Sequence, residues 1–163
     1  MRVTSQVDSF GIWAVALFLN TIMQELLVRG YLFEVLKNQY NSLIAITFIT
    51  ALFTLLHGGA FEAGIISILN VISMSIFMPV IFIETKSLVA PIIIHFIWNF
   101  TGGLIFDLIS LAEDYPTWFS TKKSFFVDKN FGIEGSTFVL LINILFIVFF
   151  CFMIRRKRSI VHY

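Results

Sequence analysis

Apolar residues fall into five runs along the chain, about 10–36, 42–57, 63–83, 88–109 and 136–154, separated by polar stretches. All but the second approach the ~20 residues that a helix needs to cross a hydrocarbon core. The second has 16 residues, so it either sits among sheltering neighbours or continues past His57 through Gly58 and Gly59. Lys37 to Asn41 and Glu84 to Ser87 are compact polar connections, whereas Ser110 to Gly135 is one long loop. That loop holds Glu113, Asp114, Pro116, Trp118, Lys122 and Lys123, a composition suited to the interface with Trp118 at headgroup level. The pattern predicts an all-α, polytopic membrane helix bundle of about five transmembrane helices. It forms a single domain over 1–163, with a C-terminal helix over 136–154 and a basic tail over 155–163.

Composition agrees with this reading. Of the 163 residues, 58% are hydrophobic and 13% charged, with a mean hydropathy of +0.93, whereas soluble domains carry about a quarter charged residues. A net charge of +1 offers no footprint for nucleic acid. The single Cys151 rules out an intrachain disulfide and a cysteine metal cluster, and reads as a small buried hydrophobe. No cleavable signal is evident in the first residues, so the first run is retained as a helix. Arg155 to Arg158 abut the last run and predict a cytoplasmic C-terminus. Alternation then places Lys37 and Lys86 inside and Arg2, Lys122, Lys123, Lys129 and the N-terminus outside. An N-outside start without a signal suggests that a further helix precedes this chain.

Three polar groups interrupt these hydrocarbon-like runs: Gln24 and Glu25 with Arg29, then His57 four residues after Phe53, then His95 with Asn99. A charged residue at mid-helix costs roughly 2.5–3.5 kcal/mol, while each Leu, Ile, Phe or Val returns about 0.3–0.6. Ten such apolar residues lie between Phe10 and Val28, and their gain nearly cancels against Glu25 and Arg29. Groups this costly pair with one another or line a reaction path. Glu25 and Arg29 share a helix face, as do His95 and Asn99, whereas Gln24 points about 100° from Glu25. Read singly, each has a structural explanation: an ion pair, a helix-end histidine, an interhelical hydrogen bond. Phe53 is a packing residue in either case.

Taken together, Gln24-Glu25-x-x-x-Arg29-Gly30, Phe53-x-x-x-His57 and His95-x-x-x-Asn99 resemble the three motifs of the CPBP family. These are the CAAX-protease and bacteriocin-processing intramembrane proteases, also called the Abi family. The resemblance covers about 20–105 and extends to Tyr31-Leu32-Phe33 and to Thr85-Lys86-Ser87-Leu88-Val89-Ala90-Pro91. It implies an intramembrane endopeptidase of a bacterial cytoplasmic membrane, acting on a prenylated protein or other peptide, with Gln24, Glu25, His57, His95 and Asn99 as catalytic positions. One departure matters. The family opens this motif with Glu-Glu and assigns water activation to the first, where this chain has Gln24. A carboxamide cannot act as a general base. Either Glu25 takes over, or Gln24 only orients water, or the chain is a family member without turnover that serves as a binding or self-immunity protein, or an active enzyme has been changed to Gln here.

The residues allow a water held between Glu25 and His57 to attack a carbonyl while His95 and Asn99 donate to the oxyanion. No cofactor is required by that scheme. Zinc held by Glu25, His57 and His95 is the alternative, since two His and one Glu form a known catalytic ligand set. No His-Glu-x-x-His element supports it, and metal-free water activated by glutamate is preferred. Ser67, Ser73 and Ser75 lack a basic residue at helical spacing, which disfavours a serine nucleophile.

Overall fold

The computed structural model describes residues 2–3, 9–109, 115–120 and 132–161. Helix α1 (Phe10–Gln39) is the longest rod before the loop. Its middle, Leu26–Phe33, widens into a π-helix, a departure that often marks functional positions. The wider turn carries Arg29 and Phe33 inward and leaves Leu26, Leu27 and Tyr31 outward. Gly30 sits where a Cβ would press on the Leu88 side chain at 3.1 Å.

Asn41 caps α2 (Ser42–Leu56) by accepting a hydrogen bond from the Ile44 amide at 2.9 Å, which satisfies one of the first-turn donors. The helix stops at Leu56. His57 takes non-helical angles (φ −96°, ψ 57°) and leads into α3 (Gly58–Ala63), so it stands at a break between two helices. Gly64, at φ +110°, turns the chain into α4 (Ile65–Thr85), a conformation glycine adopts without Cβ strain. Helix α5 (Val89–Ile105) begins with Pro91 near its start and becomes π-helical from Phe100. The run expected to reach residue 109 thus ends at Ile105, because the Leu108 and Ile109 amides turn back to the Gly102 carbonyl at 2.7 and 3.2 Å. Helix α6 (Thr137–Val161) continues through the basic cluster, so the expected tail is helical as far as Val161.

Among the described residues, three segments are long and apolar enough to cross a membrane: α1, α4 and residues 137–156 of α6. Helices α2 and α5 are shorter apolar rods, so the bundle keeps the five expected runs but only three have full spanning length. Short strands β1 (Arg2–Val3) and β2 (Phe119–Ser120) pair antiparallel beside the bundle. The Trp118 ring packs edge-on against Phe10 at 5.2 Å, and its amide donates to the Leu104 carbonyl at 2.8 Å. Glu113, Asp114, Lys122, Lys123 and Lys129 lie outside the described residues.

Helix α4 is the centre of the bundle, packed on α2, α3, α5 and most extensively α6. Phe33, Ala45 and Ile49 form one buried cluster; Phe77, Met78 and Ile81 form another, covered by Ile147 and Phe150 of α6. Polar links join α6 to α4. Asn143 donates to Ser73 Oγ at 3.0 Å, and Ser73 donates to the Asn70 carbonyl at 2.9 Å. Such hydrogen bonds and small residues hold helices together where lipid removes the hydrophobic drive between them. The outer faces are apolar, with Ile12, Leu19, Leu43, Leu55, Leu145, Val148 and Phe152 exposed. A surface this apolar is matched by hydrocarbon, not by water.

Candidate active site

Glu25 and Arg29 are both buried, at 0% and 1% exposure, with Arg29 Nη1 donating to Glu25 Oε1 at 3.0 Å. The π-helical turn still leaves the two residues on one face. His95 Nδ1 from α5 donates to the same Oε1 at 2.8 Å. One carboxylate oxygen therefore ties α1 to α5. Because Nδ1 is used, the ring's orientation is set and Nε2 is the nitrogen left over. The Arg29 guanidinium also lies over the Phe53 ring, 5.4 Å from its centroid, a cation–π contact. Phe53 in turn stacks on His57, with ring centroids 4.1 Å apart. Arg29 thus lies inside the bundle, paired with Glu25.

His57 Nδ1 lies 2.8 Å from the Phe53 carbonyl. A carbonyl only accepts, so Nδ1 is the donor here and Nε2 is the ring nitrogen left over. The break after Leu56 supplies this contact, since the end of α2 leaves carbonyls without intrahelical partners.

These elements surround a cavity of about 490 Å³, within the usual range for small-molecule sites. Gln24, His57, His95 and Asn99 all line it, together with Arg29 and Phe53. Glu25 is not among the lining residues. It stands behind the wall, committed to Arg29 and His95, while Gln24, turned about 100° around the helix, faces the cavity. The three motifs are thus brought together, with the two residues of the first motif in different environments. Trp13, Leu17, Val71, Met74, Met78, Leu104 and Val139 give the cavity an apolar wall, to which Asn20 and Asn70 add two carboxamides.

The segment just before α6 supplies a carboxylate that the motif reading missed. Glu134 lines the cavity and accepts a hydrogen bond from Trp98 Nε1 at 2.8 Å. Its backbone is clamped by Asn70, whose amide donates to the carbonyls of Glu134 and Ser136 at 2.7 and 2.9 Å. The Ile133 amide donates to the Leu108 carbonyl at 2.7 Å. Withdrawal from bulk water pushes the Glu134 carboxyl above the usual carboxylate range, while the Trp98 hydrogen bond and the nearby His57 and His95 pull it back. Asn70 carried a signal, a carboxamide within an apolar run; Glu134 carried none, because its loop gave no hint of folding back into the bundle. Among the described residues, no three His, Cys, Asp or Glu side chains are grouped as a metal site requires.

No curated protein and no solved structure matches the chain. Residues 6–101 match the family described as type II CAAX prenyl endopeptidase Rce1-like. The match covers α1 to the Asn99 region of α5, every motif included, and ends before the segment that carries Glu134. With its motifs gathered on one cavity among apolar helices, the chain is an integral membrane protein that belongs to the type II CAAX prenyl endopeptidase Rce1-like family.

Proposed function

We propose that the chain is an intramembrane endopeptidase that hydrolyses a peptide bond near a prenylated C-terminal cysteine, the modification of a C-a-a-X end. The observation that carries this reading is the convergence of Gln24, His57, His95 and Asn99 on one cavity with an apolar wall. An isoprenoid chain suits that wall, and a peptide carbonyl suits the polar end. In this reading a water attacks the carbonyl directly, positioned by His57 Nε2 and the Gln24 carboxamide. Asn99 Nδ2 and a protonated His95 Nε2 donate to the oxyanion, the group where new charge develops. Glu25 acts behind them, holding Arg29 and His95.

The same reading places the protein in a bacterial cytoplasmic membrane, with Arg155 and Arg156 marking a cytoplasmic end of α6. It routes no step through a metal. Treatment with a chelator is expected to leave the rate unchanged, and a loss restored by zinc would overturn that part of the scheme.

Gln24 favours a second reading, in which the chain retains the scaffold, binds a peptide or partner such as a bacteriocin, and does not turn over. The two are separated by reconstituting the purified protein in lipid vesicles with prenylated and unprenylated peptides. The peptidase reading expects cleavage of the prenylated peptide, reduced about 10²-fold or more in His57→Ala and in Asn99→Ala. Saturable binding without cleavage would establish the second reading instead.

A further inference from the structure

The site holds one acid–base problem that the motifs leave open. Gln24 cannot take a proton, and Glu25 is not among the residues that line the cavity, its Oε1 engaged by Arg29 and His95 and its Oε2 buried. Resting on the peptidase reading, we infer that Glu134 is the general base of this chain, supplying from the segment before α6 the carboxylate that position 24 lacks.

Three observations carry the inference. Glu134 lines the same cavity as His57, His95 and Asn99. Its position is built in: Trp98 holds the carboxylate from α5, and Asn70, 1% exposed on α4, holds the backbone at the carbonyls of Glu134 and Ser136. Gly132 adopts φ +63° where any Cβ would run into the Leu108 carbonyl, so the segment approaches the chain just after α5 more closely than a larger residue permits. Finally, Trp98, which holds the carboxylate, stands on α5 between His95 and Asn99 and lines the cavity with them.

The chemistry balances with water as the only co-reactant. A water that donates one hydrogen to the Glu134 carboxylate and the other to His57 Nε2 presents an oxygen lone pair to the scissile carbonyl. As the O–C bond forms, one proton passes to Glu134 and the carbonyl π pair moves onto oxygen, where Asn99 and His95 donate. The tetrahedral intermediate then collapses. The oxyanion pair re-forms C=O, the C–N bond breaks, and the leaving nitrogen takes the proton from Glu134. The products are a carboxylic acid and an amine, and Glu134 is again a carboxylate.

The test compares the full chain with Glu134→Gln, Gln24→Glu and the double variant, each reconstituted in vesicles with a farnesylated C-a-a-X peptide. Glu134→Gln is isosteric and keeps an acceptor for Trp98, and its melting temperature in detergent checks that it folds. The expected result is a fall in kcat of about 10²-fold or more with KM unchanged, and recovery of at least about tenfold in the double variant, since position 24 faces the same cavity. Equal cleavage by the parent chain and Glu134→Gln overturns the inference and leaves the peptidase reading standing. So does a silent parent chain whose Gln24→Glu variant cleaves. Cleavage by none of the four overturns both.

Trp98→Phe gives an independent readout that packing alone would not move. Among the described residues, the charged or titratable groups that line the cavity with Glu134 are Arg29 on α1, His57 at the end of α2 and His95 on α5; α4 and α6 bring none to the lining. Removing the indole donor disfavours the carboxylate, so the acid limb of the pH–rate profile is expected to move to higher pH. An unmoved limb counts against Glu134 as the base.

Discussion

Oε1 of Glu25 holds the site together at the scale of single residues. It receives Arg29 at 3.0 Å and His95 at 2.8 Å, all three groups lying within the bundle. Breaking one partner from a buried ion pair leaves a charge without compensation, at a cost of about 3–5 kcal/mol. Arg29→Ala is therefore expected to lower the folded yield in membranes as well as activity, read by detergent-solubilised monodisperse protein; normal yield with full activity would contradict the role. Glu134 belongs to the same scale. Its carboxyl is pushed upward by burial, and a base must be deprotonated to work, so cleavage should fall as pH drops through a limb above the usual carboxylate range. A limb at the ordinary glutamate value would contradict that environment. The i,i+4 spacing of Glu25 with Arg29, Phe53 with His57 and His95 with Asn99 was readable in sequence because helical geometry converts spacing into a shared face. The third partner, His95 on Glu25, was not, because it joins residues 70 apart along the chain.

The elements act by where they stop being regular. The π-helical middle of α1 aims Arg29 inward, the end of α2 at Leu56 frees the Phe53 carbonyl for His57, and the early end of α5 lets the chain receive Ile133 at Leu108. Hydropathy located the rods and missed these departures, since a π-turn or a helix break leaves an apolar run equally apolar. The same blindness hid the helical continuation of α6, because charged residues are good helix formers. The segment over residues 132–136 is docked by Asn70 from α4. Asn70→Ala leaves two carbonyls without their donor, each worth about 1–3 kcal/mol if it stays buried. We expect a melting temperature several degrees lower and a reduced kcat, because Glu134 loses its backbone anchor. Unchanged stability together with an unchanged rate would show that the segment holds itself in place. Gly132→Ala should have the same two effects by a different route, forcing the backbone away from the Leu108 carbonyl.

On the scale of the whole molecule, apolar helices carry a polar cavity that lipid alone could not tolerate, and its walls divide between motif residues and an apolar face. The fold class followed from composition and run length, since so few charges over 163 residues leave no soluble alternative. The family match extends over residues 6–101, so α6 and the Glu134 segment complete the cavity from outside the matched region. The proposed activity requires this cavity to hydrolyse peptide bonds. The most direct measurement is mass spectrometry of a farnesylated C-a-a-X peptide incubated with the reconstituted chain in ¹⁸O-labelled water, beside the His57→Ala variant. The account predicts a shortened prenylated product whose new carboxyl carries ¹⁸O, formed by the parent chain and about 10²-fold less by His57→Ala. An intact peptide, or equal product from His57→Ala, would contradict it.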